Sequence, residues 1–259
     1  GASELLFLRS LAAKDDIWEV LARPSRRLRA GMVLSTGGDE LRVVKPLEEG
    51  RWVVAGDVRG VLRRRGHLPL PPYVRATPEV EREYQTVYAR DEGSAAAPTA
   101  GFHFTERVLG EVEEAGARIS RVTLHVGIGT FSPVRTGRLK DHRMHAEHYR
   151  VPEETARAVK DAERVIAVGT TVARTLESWA ATGSLEGETE LFIYPGYQWR
   201  VVDALLTNFH LPRSTLLAMV MAFAGKELIR EAYEVAVKER YRFFSFGDAM
   251  LLLHGGRTL

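Results

Sequence analysis

The chain has 259 residues, of which 45% are hydrophobic and 27% charged, with a formal net charge of +2. These fractions are those of ordinary globular proteins and exclude wholesale disorder, collagen-like repeats and coiled-coil rods. The cysteine count of 0 excludes disulfides, thiolate metal sites and thiol nucleophiles, and it fits a reducing compartment.

In chain order, the first part reads as β. Glu4–Arg9, Ile17–Leu21, Met32–Leu34, Leu41–Val44 and Trp52–Val54 are short apolar runs parted by turn signals such as Lys14-Asp15-Asp16 and Gly37-Gly38-Asp39. Short strands at this spacing predict a small barrel or sandwich. Gly66-His67-Leu68-Pro69-Leu70-Pro71-Pro72-Tyr73 then excludes a helix interior or central strand and predicts a domain boundary, with a β domain over 1–66 and an α/β domain over 67–259. Beyond it, helices are predicted at Glu79–Ala89, Thr105–Ala115, from Pro152, from Gly169 to about Ala181, at Ser214–Ala224 and at Lys226–Tyr241. Strands are predicted at Ile119–Val126, Arg164–Val168, Leu191–Tyr194, Val201–Leu206 and Ala249–Leu253. Such alternation predicts α/β layers. The longest apolar run, Leu216–Ala224, is too short to span a bilayer, and the opening Gly-Ala-Ser-Glu is no signal peptide. Without an initiator Met, the chain is expected to be a fragment or to begin where order begins.

Five constellations carry possible chemistry. Asp141-His142-Arg143-Met144-His145-Ala146-Glu147-His148 holds three of the eight histidines. On a helix, His142 and His145 would share a face. The cluster is open to three readings: a metal site, general acid–base work with Glu147 tuning an imidazole, and a polar surface turn. The spacing does not match the His-Glu-x-x-His zinc helix, which counts against metal. Ala97–Thr105 leads small residues into a helix start, with His103 and Thr105 beside free amides that can hold an anion; a capped helix with a buried His is the plainer reading. Thr123–Phe131 carries His125 on a strand ending in Gly127-Ile128-Gly129, where a tight turn is the simplest account. Val168-Gly169-Thr170-Thr171 runs from strand into helix, a geometry suited to a carboxylate or phosphate. It lacks the Gly-Lys-Ser/Thr of a nucleotide loop. Arg174 and Glu177, three apart, are expected to pair, by default as an exposed salt bridge. In Thr207–Thr215, Asn208 and His210 precede a strongly apolar helix and need partners, and Ser214 suits its N-cap. The basic stretches Arg23–Arg29 and Arg59–Arg65 are candidate phosphate-contacting surfaces, although such runs are usually solvated faces.

Taken together and in this order, these stretches resemble the S-adenosylmethionine:tRNA ribosyltransferase-isomerase family of queuosine biosynthesis. The residues that carry the resemblance are 66–73, 84–89, 96–105, 124–134, 142–147, 168–178, 192–197, 202–217 and 241–250. The family's N-terminal Asp-Phe-x-Tyr-x-Leu-Pro pattern and Asn-Thr-Arg-Val stretch have no counterpart here. Val172-Ala173 stands where Ser-Val is usual, and His148 where Tyr is common, which takes His148 out of the family pattern.

The resemblance implies a mixed-sheet α/β fold with an inserted small β-barrel domain. It implies transfer and isomerisation of the ribosyl part of S-adenosylmethionine onto 7-aminomethyl-7-deazaguanine at the tRNA wobble position. The products are epoxyqueuosine, adenine and methionine, and no metal is required. The sulfonium acidifies the neighbouring ribose carbon, adenine leaves more readily when protonated, and the attacking amine must be neutral, so several acid–base groups are expected. His142, His145 and Glu147 are assigned to this work, with His103 and His125 as further candidates. Gly169, Thr170, Thr171, Arg174, Asn208, His210 and Thr215 are assigned to S-adenosylmethionine, with the Gly169-Thr170-Thr171 helix start for the methionine carboxylate and Asn208 or His210 for adenine. Arg26, Arg27, Arg29, Arg63, Arg64 and Arg65 are assigned to tRNA phosphates. A cytoplasmic monomer is expected. The rival expectations are a metal-dependent hydrolase using His142, His145 and His148, and a non-catalytic RNA-binding module.

Overall fold

The computed structural model describes residues 2–12, 16–71, 73–91, 94, 96–127, 137–142 and 144–253. They form two compact units, Gly1–Tyr84 with Arg90–Ala96, and Gln85–Ala89 with Ala97–Leu259.

In the first unit, β1 (Glu4–Ala12), β2 (Ile17–Arg23), β3 (Val33–Thr36), β4 (Asp39–Pro46) and β5 (Arg51–Gly56) make an antiparallel sheet in the order β1-β2-β5-β4-β3. Alternation supplies its core: Trp18, Val20 and Ala22 from β2, Leu41 and Val43 from β4, and Trp52 and Val54 from β5 fill one face. Gly37 and Gly38, with φ of 54° and 93°, form the two-residue turn that joins β3 to β4. The edge strands β1 and β3 are not paired with each other among the described residues, so the sheet is open there rather than a closed barrel. A helix not expected from the sequence, α1 (Val58–Arg65), covers the core with Val58 and Val61 and is capped by Asp57. α2 (Pro78–Glu83), capped by Thr77, stops well short of the expected Ala89. The buried Thr86 belongs with the second unit, and β-branched Thr86 and Val87 favour helix poorly.

The second unit holds α3 (Glu106–Glu114), β6 (Thr123–Leu124), β7 (Glu147–Arg150), α4 (Glu153–Asp161), β8 (Ile166–Val168), α5 (Thr170–Thr182), β9 (Glu186–Thr189), β10 (Ala204–Asn208), α6 (Thr215–Ala224), α7 (Lys226–Lys238) and β11 (Ala249–Leu253). One sheet runs β11-β10-β8, with β10 parallel to β8 and antiparallel to β11; the other is antiparallel, β6-β7-β9. The architecture is therefore mixed α/β.

Three expectations are corrected. The histidine cluster is not helical: Leu139–Asp141 is one 3-10 turn, and Glu147–Arg150 is a strand with Glu147 and Tyr149 buried and Arg150 exposed, a period of two. Leu191–Tyr194 forms no strand; the third strand of that sheet is the polar β9 before it. The strand expected over Ile119–Val126 shrinks to the two residues of β6. Pro72, Arg143 and most of the Gly-x-Gly turn, including Gly129, lie outside the described residues.

Candidate active site

The parallel strands β8 and β10 end side by side, and a helix starts beyond each. Gly169, at φ +96°, makes the turn from β8 into α5, a conformation that L side chains rarely adopt. Its N–H is bonded to the Leu206 carbonyl of β10 at 2.8 Å, which locks the two strand ends together. Ser214 caps α6, its Oγ accepting from the Leu217 N–H at 3.0 Å. The crevice at the carboxyl ends of parallel strands is where α/β folds bind ligands.

A partly open crevice lies there. Thr170 and Thr171 from the first turn of α5, Thr215 from that of α6, and the Glu147–Arg174 pair supply its polar groups. Leu124, Val126, Met144, Phe192 and Met219 are among its apolar walls. Two helix starts bring first-turn N–H groups and positive dipole ends to one cavity, which favours a negatively charged group there. The apolar walls suit the rest of a mid-sized organic molecule.

Glu147 and Arg174 are paired and buried, with side chains 1% and 4% exposed. Glu147 Oε1 also accepts the Gly127 N–H at 2.7 Å, and Arg174 Nη2 donates to the Thr189 carbonyl at 3.0 Å. Burial lowers the guanidinium's pKa, and Glu147 opposes that shift. The expected Arg174–Glu177 surface pair is thus corrected. Glu177, fully buried, instead accepts from the Tyr197 hydroxyl at 2.9 Å and from the N–H groups of Arg200, Val201 and Val202. Burial, then the Glu177 charge, pushes the Tyr197 phenol upward. Glu147 likewise serves as a counter-ion and loop anchor, so the free acid–base carboxyl expected of it is not what the structure presents.

The other histidines divide. His142 packs edge-on against Phe192 with ring centroids 5.2 Å apart, and its buried Nε2 has no hydrogen-bond partner among the described residues. The His145 carbonyl accepts from Arg174 Nη2. His125 stacks on His148 at 5.9 Å, and His148 lies 3.2 Å from Glu186. Among the described residues, no group of three or more His, Asp or Glu is placed to hold a metal ion. His103 does not line the pocket; its Nε2 lies 3.0 Å from Asn208 Oδ1. His210 bonds the Thr207 hydroxyl through Nε2 at 3.0 Å, and burial drives its pKa down to about 4, so it is neutral at pH 7.

In the first unit the arginines also divide. Arg64 is held by Asp39 and Asp57 at 2.7 and 2.9 Å, and Arg65 by Asp39 and the Gly37 carbonyl at 3.2 and 2.6 Å. The Arg64 guanidinium holds the carboxyls of Asp39 and Asp57 below their ordinary range. Arg27 donates to the Ala2 carbonyl at 3.2 Å. Arg26, Arg29 and Arg63 are exposed and make no side-chain hydrogen bond or ion pair among the described residues, although the Arg63 charge adds to the lowering of the Asp57 carboxyl.

The residues that sequence reasoning missed are Thr99, Thr189 and the apolar walls. Phe192 lay in a stretch that carried the family resemblance, and Thr99 lies four residues before His103 in another.

Residues 1–252 match the model of a family described as queuosine biosynthesis protein. A relative in Rubrobacter xylanophilus, named S-adenosylmethionine:tRNA ribosyltransferase-isomerase, is 72% identical over 100% of this chain and 77% of its own length. One of the same name in Natranaerobius thermophilus is 48% identical over 97% and 77%. The crystal structure of S-adenosylmethionine tRNA ribosyltransferase from Thermotoga maritima is 35% identical, covering 98% of this chain and 75% of that one, with a TM-score of 0.51.

Proposed function

The chain belongs to the queuosine biosynthesis protein family, and from that premise we propose that the pocket at the starts of α5 and α6 holds S-adenosylmethionine for reaction with tRNA. Its activity is that of the S-adenosylmethionine:tRNA ribosyltransferase-isomerases. The ribosyl group passes from S-adenosylmethionine to the 7-aminomethyl-7-deazaguanine of tRNA and is isomerised, giving epoxyqueuosine, adenine and methionine. Neither the metal-dependent hydrolase nor the non-catalytic RNA-binding reading finds support among the relatives.

The observation that carries the placement is the convergence of two helix starts and three threonines, Thr170, Thr171 and Thr215, on one apolar-walled cavity. In this reading the methionine carboxylate sits against the first turn of α5, where the amides and the dipole meet its charge. The walls around Phe192 and Met219 take the uncharged parts of the molecule. Arg174 is the charge behind the α5 hydroxyls, held in place by Glu147. His142, beside the Phe192 wall, and His103, outside the pocket lining at the end of β10 beside Asn208, are the groups to move protons as the ribose reaches that end, with His145 and His125 as supporting candidates.

Residues 1–66, the barrel-like domain in this reading, present Arg26, Arg29 and Arg63 to tRNA phosphates. Arg27, Arg64 and Arg65 hold their own unit together instead. Residues 67–259 form the catalytic domain. The reading needs no metal, and it takes the chain as a cytoplasmic monomer. No described helix is long and apolar enough to cross a membrane.

Equilibrium dialysis with labelled S-adenosylmethionine, with tRNA present, tests the placement. Thr171→Val keeps shape and removes one hydroxyl, and about tenfold weaker binding is expected from the loss of one hydrogen bond to a charged group. Unchanged affinity in both Thr171→Val and Thr215→Val would move the co-substrate out of this pocket.

A further inference from the structure

Asn208 ends β10 and is 3% exposed. Both halves of its carboxamide are engaged: Nδ2 donates to Thr99 Oγ1 at 3.2 Å, and Oδ1 lies 3.0 Å from His103 Nε2. Thr99 and His103 are the first and last residues of one 3-10 turn, so a single side chain spans that turn end to end. With the carboxamide oxygen turned to the ring, and since that oxygen carries no proton, this arrangement puts the proton of the second bond on His103 Nε2. The neutral ring then has its lone pair at Nδ1. His103 is half-buried, and Nδ1 has no hydrogen-bond partner among the described residues.

The turn itself is tightly located. A Cβ at Gly101 would overlap the Tyr88 hydroxyl, and one at Gly169 would meet the Ala100 Cβ at 3.4 Å. Ala100 is therefore fixed against Gly169, the N-cap of α5, and His103, at the far end of the turn, stands at the end of β10 beside Asn208, outside the pocket lining itself. The charged group coupled to it is Asp248, which is hydrogen-bonded to Arg242 at 3.0 Å. Arg242 holds the Asp248 carboxyl low, and His103 adds a smaller share of that shift. Phe246, two residues before Asp248, packs on Phe102 at 5.5 Å and so brings this loop against the turn.

We propose that Asn208 does not read adenine but is a positioning residue: it holds His103 in the Nε2–H tautomer so that Nδ1 accepts a proton in the ribosyl transfer. This rests on the placement of S-adenosylmethionine given above. In the step, the C–H bond beside the sulfonium breaks, its electron pair stays on carbon, and the proton goes to Nδ1. The resulting imidazolium keeps its Nε2–H on the Asn208 oxygen, a bond that strengthens as the ring becomes charged.

Two readouts test it. Long-range proton–nitrogen NMR of ring-labelled protein without substrate, with His103 assigned by its loss in His103→Gln, reads the tautomer. A single Nε2–H form is expected in the unaltered protein. Asn208→Ala is expected to give a mixture. In adenine-release kinetics, Asn208→Ala is expected to lower kcat about tenfold, a part of the roughly 10²–10⁴-fold that a general base contributes, with the KM for S-adenosylmethionine little changed. Asn208→Asp is expected to move the acid limb of the pH profile upward, because a carboxylate favours the imidazolium. An Nδ1–H tautomer in the unaltered protein would overturn the proposal. So would an Asn208→Ala protein whose tautomer and kcat are unmoved, or whose loss falls on KM alone, as for a residue that reads adenine. The NMR readout needs no substrate, so it separates this failure from a failure of the pocket assignment.

Discussion

The two units bury polar groups very differently. Among the described residues, Glu19 is the buried polar side chain of the first unit; it is clamped by Arg9 and Arg51 at 2.9 and 2.7 Å. The second unit buries Glu147, Thr170, Arg174, Glu177, Ser178, Thr189, Thr207, Asn208, Thr215 and others, and the pocket lies within it. A buried polar group costs free energy unless it is bonded, so such a concentration marks where specific geometry has been kept at the expense of stability. Apart from Glu19, the first unit's described ion pairs lie at the surface, where each is of little individual worth.

The sharpest way to break this contrast is at the buried ion pair. Arg174→Ala leaves the buried Glu147 charge without its guanidinium, and a loss of about 3–5 kcal/mol in denaturant unfolding is expected. Combining Arg174→Met with Glu147→Leu is expected to restore most of that stability without restoring activity. If Arg174→Ala were as stable as the original, the pair would not be buried as described.

Next in size is an acid effect. His210 is held neutral, with its pKa lowered to about 4, while in the unfolded chain it titrates near 6.5. Between those values the unfolded state binds more protons, so stability falls as pH drops through this window, by up to about 3 kcal/mol. His210→Gln is expected to flatten that part of the stability–pH curve. An unchanged slope would mean that the ring is solvated.

How much of this was legible in the sequence follows the same division. The sheet of the first unit reads directly from alternation and from Gly37-Gly38, because one face is core and the other solvent. α1 did not, because its run of arginines hid Val58, Val61 and Leu62 at helical spacing. In the second unit, the strand–Gly169–helix junction and the Ser214 cap were legible because they are local. The Glu147–Arg174 pair was not. Its members are 27 residues apart, and Glu177, one turn along the same helix, looked the nearer partner until the loop amides at 200–202 claimed it. The histidine cluster misled for a similar reason, since its alternation is set by pairing with β6 and β9 rather than by its own propensity.

A smaller effect separates the arginines. Replacing Arg26, Arg29 and Arg63 with Ala is expected to weaken tRNA binding and to reduce its salt slope by about 1 for each phosphate left without its arginine. Arg64→Ala is expected to lower the melting temperature of the first unit more than it changes that slope. The reverse pattern would assign the paired arginines to RNA instead. Smallest is Ser214→Ala, which removes the α6 cap and is expected to cost about 1 kcal/mol in thermal unfolding; no change would mean that another group caps the helix.

The most direct test of the central claim is adenine release. The protein would be mixed with S-adenosylmethionine and tRNA carrying the aminomethyl-deazaguanine base, in EDTA, and free adenine followed by chromatography. Release that requires the modified tRNA and falls in Thr171→Val is the predicted result. A folded protein that binds both substrates and releases no adenine would contradict the account.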